Sequence, residues 1–358
     1  MDLSKEPVVL NVPDTNDRYY TVQLLDAWTN TFANIGRRTT GTKAGKFVIV
    51  GPHWQGTLPS GIKKLQSPTD TVWALGRILV KGENDLPEAQ SLQGKFTLTT
   101  LKGKRATIKQ KRNQLLSTTT VEELSMMDFI NELNEGLRQN PPSKKEQAIL
   151  QQFKPIGIDP SLENPLKDMN QETINGLNKA AKDAINIIRF SNTQLKPEGS
   201  WQYNYDIGTY GFDYLLRAAV AYSGLGANII EESMYVRTFV DENGDKLNGK
   251  NKYVIHFEKG KLPNVEAFWS LTLYNSSFFL VKNPIKRYAV GDRTEGLRYN
   301  ADGSLDIYIQ HSPPAGKELN WLPAPEGDFN LIMRLYQPGF AILNGSYKLP
   351  PVKKVSGA

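Results

Sequence analysis

The chain has 358 residues, room for two or three domains of ordinary size. Hydrophobic residues make up 39% and charged residues 22%, with 10% aromatics, a globular composition that excludes the disordered, collagenous and coiled-coil classes. The formal charge is only +6; cysteine is absent, which removes disulfides, thiolate zinc sites, iron–sulfur clusters and cysteine nucleophiles, and no apolar run approaches the roughly 18 residues of a membrane span.

From Pro7 to about Leu101, short runs rich in β-branched and aromatic residues are cut by turn residues. Val8–Val12, Tyr19–Leu25 and Lys46–Val50 read as strands of a small antiparallel sandwich, separated by Pro13 to Asp17, Gly41 to Gly45 and Gly51-Pro52. Lys102 to Arg112 then carries six basic residues and no acid, so it accounts for the whole net charge. Such a segment suits phosphate or an anionic membrane surface, but a solvated strand edge or hinge is the plainer reading. No specific nucleic-acid signal accompanies it.

At Thr120 the character changes. Thr120-Val-Glu-Glu123 spells a capping box, and Leu124, Met127, Ile130, Leu133 and Leu137 follow at helical spacing until Pro141-Pro142. A second box, Ser143-Lys-Lys-Glu146, opens a short helix through Phe153. A longer helix is predicted from Gln171 to Phe190, with Ile174, Leu177, Ala181, Ala184, Ile185 and Ile188 on one side.

From about Trp201 strands return, with hairpin signals at Asp241 to Asp245, Asn248-Gly249, Glu258 to Lys261 and Asn300 to Gly303. Tyr253–Phe257, Phe268–Tyr274, Leu305–Ile309 and Phe329–Tyr336 lie between or after them, the last three with two-faced alternation. A helical patch spans Leu215 to Leu225. The expected architecture is mainly β with a helical insert: a β-sandwich over 1–118, a helical module over 119–195 and a jelly-roll β-sandwich over 196–358.

Ordered motifs carry a resemblance. Glu6 to Leu10, Pro13-Asp14-Thr15, Arg18-Tyr19-Tyr20, Arg38 to Thr42, Val50-Gly51-Pro52 and Ser67-Pro68-Thr69 resemble the bacterial domain of unknown function 1254. Ala267 to Tyr274, Asn283-Pro284, Arg287-Tyr288, Gly291-Asp292-Arg293, Asp302-Gly303-Ser304, Asn320 to Pro325 and Arg334-Leu335-Tyr336 resemble its usual partner, the domain of unknown function 1214. The resemblance implies an immunoglobulin-like first sandwich, a helical middle and a jelly-roll end, and favours a periplasmic or secreted setting. It also implies a leader region ahead of Asp2, which this chain is expected to lack. No activity comes with it.

Short catalytic motifs fail one by one. Gly36 to Lys43 approaches a phosphate loop but has Thr before Lys, and a strand rather than a helix follows. Asp241-x-Asn243-x-Asp245 imitates a calcium loop but has Lys246 and Lys252 where glycine and glutamate belong. Neither Gly208-Thr-Tyr-Gly211 nor Asp302-Gly303-Ser304 is a nucleophile elbow. The three histidines, His53, His256 and His311, are far apart in sequence, so no metal and no cofactor are expected. His311, at a strand end, is the one to test first.

What is left is an aromatic and arginine set: Trp269, Tyr274, Arg287, Tyr288, Asp292, Arg293, Trp321, Arg334 and Tyr336, joined by His311. Aromatic faces stack on sugars, planar groups and cations, and arginine forks grip carboxylate or phosphate. Arg37, Arg38, Thr40 and Trp54 form a secondary set in the first domain. The same residues also read as sandwich filling and loop-anchoring ion pairs. The expected function is binding of a polar small molecule or saccharide by the jelly roll. Two alternatives stand beside it: a hydrolase or lyase using acids such as Asp292, with or without a metal, and a structural or assembly protein that forms homo-oligomers.

Overall fold

The computed structural model describes residues 1–58, 60–106, 125–162, 165, 167, 169–191 and 197–355. The chain is mainly β with helices in its middle, and it divides into two compact units: residues 1–193 with 209–226, and residues 194–208 with 227–358.

The first unit holds β1 (Val8–Val12), β2 (Tyr20–Leu25), β3 (Thr31–Gly36), β4 (Gly45–Val50), β5 (Lys63–Gln66), β6 (Trp73–Ile78) and β7 (Thr97–Thr100). One sheet runs β5-β4-β1-β7 and the other β3-β2-β6, all antiparallel except β4 with β5. Strand alternation sends Leu10 and Val12 of β1, Tyr20, Val22 and Leu24 of β2, and Phe47 and Ile49 of β4 into the shared core. On its other face the first sheet buries Val9, Val48 and Val50 beneath Trp54, Leu58 and Ile62. Helix α1 (Leu86–Gln93) links β6 to β7.

After β7 the backbone closes a tight hairpin in which Thr100 N–H donates to Lys104 O at 2.7 Å and Gly103 N–H to Thr100 O at 2.9 Å. Lys102, Lys104 and Arg105 are exposed there; the rest of the basic segment, 107–112, lies outside the described residues.

Helices α2 (Met126–Gln139), α3 (Gln147–Phe153), α4 (Gln171–Ser191) and α5 (Tyr214–Gly224) complete this unit. The box predicted at Thr120 lies outside the described residues. The visible cap of α2 is Ser125, whose hydroxyl accepts from Asp128 N–H at 3.1 Å. The Ser143 box forms as expected, with Glu146 reaching back to the Ser143 N–H at 3.0 Å, and it opens a single 3₁₀ turn before α3. Among the described residues no helix is long and apolar enough to cross a membrane.

The second unit contains β8 (Pro197–Glu198), β9 (Trp201–Gln202), β10 (Ser233–Thr238), β11 (Lys252–Phe257), β12 (Val265–Asn275), β13 (Ala289–Gly291), β14 (Leu305–Gln310), β15 (Trp321–Pro323), β16 (Phe329–Pro338) and β17 (Lys353–Val355). A short helix, α6 (Phe340–Leu343), follows β16. The chain crosses repeatedly between a large sheet, β13-β12-β16-β10-β9-β8, and a small one, β15-β14-β11-β17, making the jelly-roll sandwich. Between them lies one apolar core that includes Trp201, Tyr253, Phe257, Trp269, Leu271, Leu331 and Met333. Asp241 closes the first hairpin as an Asx turn, its Oδ1 accepting from Asn243 and Asp245 N–H at 2.9 and 3.1 Å, so these residues serve a turn.

Candidate functional site

Three adjacent strands of the large sheet, β12, β16 and β10, split their residues by parity. Met234 and Val236, Trp269, Leu271 and Leu273, and Leu331, Met333 and Leu335 point into the sandwich core. Tyr235, Phe268, Tyr274, Arg334 and Tyr336 have the other parity, so they share the outer face. Register sets them in rows: Ser233 pairs with Tyr336 and Tyr336 with Phe268, while Tyr235 pairs with Arg334 and Arg334 with Ser270.

On this face the arginines meet rings. Arg334 lies 5.5 Å from the Tyr274 ring centroid and 5.9 Å from that of Tyr235, and its Nη2 donates to the Tyr274 hydroxyl at 2.7 Å. Its Nη1 is buried and makes no hydrogen bond. Ser233 donates to the Tyr235 hydroxyl at 3.1 Å. In the neighbouring row Phe268 and Tyr336 stack with centroids 4.1 Å apart, and Arg293 covers Phe268 at 3.9 Å. Burial holds the Arg293 pKa below its ordinary value, against the opposing pull of Asp292 and Tyr336.

Arg293 is held there by the end of β13. A Cβ on Gly291 would sit 2.2 Å from the Trp269 carbonyl oxygen, so only glycine lets this strand approach β12 so closely. Thr294 then accepts from the Gly291 N–H at 2.9 Å, and Asp292 accepts from the Trp269 N–H at 3.0 Å. Burial raises the Asp292 pKa in spite of that hydrogen bond. Asp292 is therefore a backbone cap beside the stack.

The structure brings together Tyr274, Arg293, Arg334 and Tyr336, with Asp292 at their edge. Others of the sequence-derived set stand apart. Trp269 is 2% exposed and packs on Phe257 inside the sandwich, because its parity is that of Leu271 and Leu273. Trp321 is likewise buried, with its indole N–H donated to Gln310 O at 2.8 Å. Arg287 spends Nη1 on the carbonyls of Glu318, Leu319 and Trp321 at 2.9, 3.1 and 3.0 Å, tying one loop to another, and burial lowers its pKa. Tyr288 is half-buried, and its carbonyl accepts from Leu273 N–H at 3.2 Å. His311 donates Nδ1–H to Ala324 O at 3.1 Å at the end of β14, with Nε2 3.7 Å from Glu326.

The secondary set belongs to the first unit. Arg37 lies 3.4 Å from Asp17, Arg38 is exposed, and Thr40 accepts from Gly36 N–H at 3.1 Å in the turn after β3. Trp54 covers the apolar outer face of β1 and β4.

Sequence reasoning missed β10, and with it Tyr235. The signal was present: in Ser233-Met234-Tyr235-Val236-Arg237 apolar and polar residues alternate strictly. It also set aside His256, whose Nδ1–H donates to Asp306 at 2.6 Å on the outer face of the small sheet. Burial of Asp306 opposes its charge, but hydrogen bonds from His256, Asn300 and Tyr308 bring its pKa below the ordinary value. Ser304, the nearby hydroxyl in sequence, donates to Asp302 at 2.7 Å, so it is not the partner of this pair. Among the described residues no three histidine, aspartate or glutamate side chains gather as a metal ion requires.

Comparison with known proteins places the chain. The family described as protein of unknown function DUF1254 matches residues 1–100, and protein of unknown function DUF1214 matches residues 232–340. No curated protein matches the sequence. The crystal structure of the VPA0106 protein from Vibrio parahaemolyticus is similar over 99% of this chain and 87% of that one, at 27% identity and a TM-score of 0.73. A putative uncharacterized protein from Burkholderia cenocepacia aligns over 99% of this chain and 74% of that one, at 11% identity and a TM-score of 0.46. With the two matches in the order their motifs occupy, the chain belongs to the two-domain family that joins DUF1254 to DUF1214.

Proposed function

We propose that the outer face of β12, β16 and β10 binds a polar small molecule that combines a ring with an acceptor group, either a saccharide acid or an aromatic carboxylate. The observation that carries this reading is Arg334: a guanidinium flanked by Tyr235 and Tyr274, with one nitrogen on the Tyr274 hydroxyl and the other buried without an acceptor. A buried N–H on a charged group is costly to leave unpaired, and a ligand carboxylate oxygen that reaches it once the flanking rings shift is the acceptor it calls for. Tyr336, Phe268 and Arg293 add a stacked platform one row away.

A thermal-shift screen with neutral sugars, sugar acids, aromatic carboxylates and divalent cations tests the reading. Stabilisation is expected from the carboxylates and is expected to disappear in Arg334→Met, which keeps an unbranched apolar stem and removes the charge. No shift from any class, or a shift that survives the substitution, overturns it.

A further inference from the structure

The first sandwich carries a feature that the arginine platform does not explain. Its inner faces are lined by large side chains over most of their area, with small ones at Ala33 on β3 and at two successive positions on β6. Leu10 on β1 and Tyr20 and Val22 on β2 fill their share, whereas β6 presents Ala74 and Gly76 with the same inward parity before Ile78. Val22 stands directly opposite Gly76, and a Cβ built on that glycine meets nothing within 4 Å. Its φ is not in the left-handed region, so the backbone does not require glycine there. Gly76 is solvent-exposed, so what glycine leaves behind is open volume at the mouth of a pocket.

That volume belongs to a half-open pocket of about 420 Å³ at the edge of the sandwich, where β6 and β7, both edge strands, border it. Close packing is the rule in protein interiors, and 420 Å³ falls within the range of small-molecule sites. Helix α1 lies across the mouth, contributing Leu86 and Ala89 to the walls and Gln90 and Gln93 to the rim. Val80 and Leu86 are 41% and 45% exposed, an apolar lip of the kind that an entering hydrophobic molecule would cover. Arg77 is the charged side chain at the site, and its guanidinium is engaged with Gln23 at 2.9 Å and the Gly226 carbonyl at 2.6 Å. Apolar walls, an amide rim and no uncommitted charge define the ligand chemistry.

We infer that this cavity is a second ligand site, one that takes the alkyl chain of an uncharged amphiphile, with the polar head at Gln90 and Gln93. The site is independent of the arginine platform and takes a different class of molecule.

The test uses the full chain, the neutral dye N-phenyl-1-naphthylamine as probe, and primary alkanols and alkanoates of matched length as competitors. Dye fluorescence is expected to rise on binding, and alkanols are expected to displace the dye about fourfold more tightly per added methylene until a cut-off length. Gly76→Leu, which places a side chain in the void, is expected to weaken dye binding about tenfold or more. Gly76→Ala, which adds one methyl into open space, is expected to fold as the parent does and to shorten the cut-off. Lys63→Leu, which adds a leucine on an exposed edge strand, controls for added surface hydrophobicity and should bind as the parent does.

Four outcomes overturn the inference: no dye or alkanol binding by the parent, parent-like binding by Gly76→Leu, alkanoates binding more tightly than alkanols, or a change of oligomeric state on sizing chromatography in Gly76→Leu without any ligand binding. The last would make the cavity a protein interface.

Discussion

The two sandwiches of this protein are built by the same alternation, yet they differ in where side-chain volume and spare chemistry go. In the second, the inward parity carries Trp201, Tyr253, Phe257, Trp269 and Phe329, and the rings of Phe257 and Trp269 approach to 5.7 Å between centroids. That interior is lined by large rings and aliphatic side chains, and arginine and tyrosine stand on the outside of the large sheet. In the first, one edge strand supplies Ala74 and a solvent-exposed Gly76, and a half-open pocket lies beside them. Two small residues on a single edge strand line a half-open pocket at the margin of a core.

The strongest way to break this contrast is to remove volume from the ring-lined interior. Trp269→Ala should lower the unfolding free energy of the protein by about 3–5 kcal/mol in a denaturant titration, since the neighbours of a 2% exposed tryptophan collapse only in part. A loss under about 1 kcal/mol would mean that the second interior is no better packed than the first. Next comes Arg287→Ala, which frees three carbonyls at once and should lower stability by about 1–2 kcal/mol. Because those carbonyls belong to a loop tie and not to the platform, Arg287→Ala should leave any carboxylate-induced thermal shift in place. Loss of that shift would move Arg287 into the binding site.

A smaller effect sharpens the description of the cavity mouth. Helix α1 is pinned at its start by Arg18, whose side chain is 5% exposed and forks onto Asp85 at 2.6 and 2.7 Å while also donating to Leu79 O at 2.9 Å. The hydrogen bonds from Arg18 pull the Asp85 pKa down from 3.8 to about 2. A carboxyl depressed in the folded state adds stability above its ordinary pKa and loses it as pH falls through the folded value. Thermal melting followed between pH 5 and 2 should therefore show an acid limb that Asp85→Asn flattens, and hydrogen exchange in α1 should quicken in the variant. An unchanged acid limb would remove Asp85 as the anchor.

Much of this architecture was legible in the sequence, for reasons that can be located. Val8–Val12, Tyr20–Leu25 and Phe329–Pro338 announce themselves by β-branched and aromatic alternation, and Ser143 with Glu146 forms the box that their spacing promises. The candidate site was legible by residue type but not by direction. Trp269 and Tyr274 sit on one strand five residues apart, and an odd separation sends them to opposite faces, one into the core and one to Arg334. Asn248-Gly249 illustrates a different limit. It reads as a hairpin signal through glycine's backbone freedom, whereas a Cβ on Gly249 would lie 1.6 Å from the Pro325 carbonyl oxygen. Glycine is needed there for a close approach between segments 76 residues apart, information that no local window contains.

The smallest expected effect separates the two interiors most cleanly, because it has opposite signs in them. Adding a methyl group to a full core forces neighbours apart and destabilises it. At Gly76 the added methyl enters open space, on a strand residue whose φ suits any side chain, so nothing has to move. The substitution also narrows the unfolded ensemble, because alanine has fewer backbone conformations to lose than glycine. Gly76→Ala should thus raise the unfolding free energy by about 0.5–1 kcal/mol in the same denaturant titration. A loss instead would show that the space opposite Val22 is closed when the protein is in solution, and the difference between the two sandwiches would then reduce to the chemistry of their outer faces.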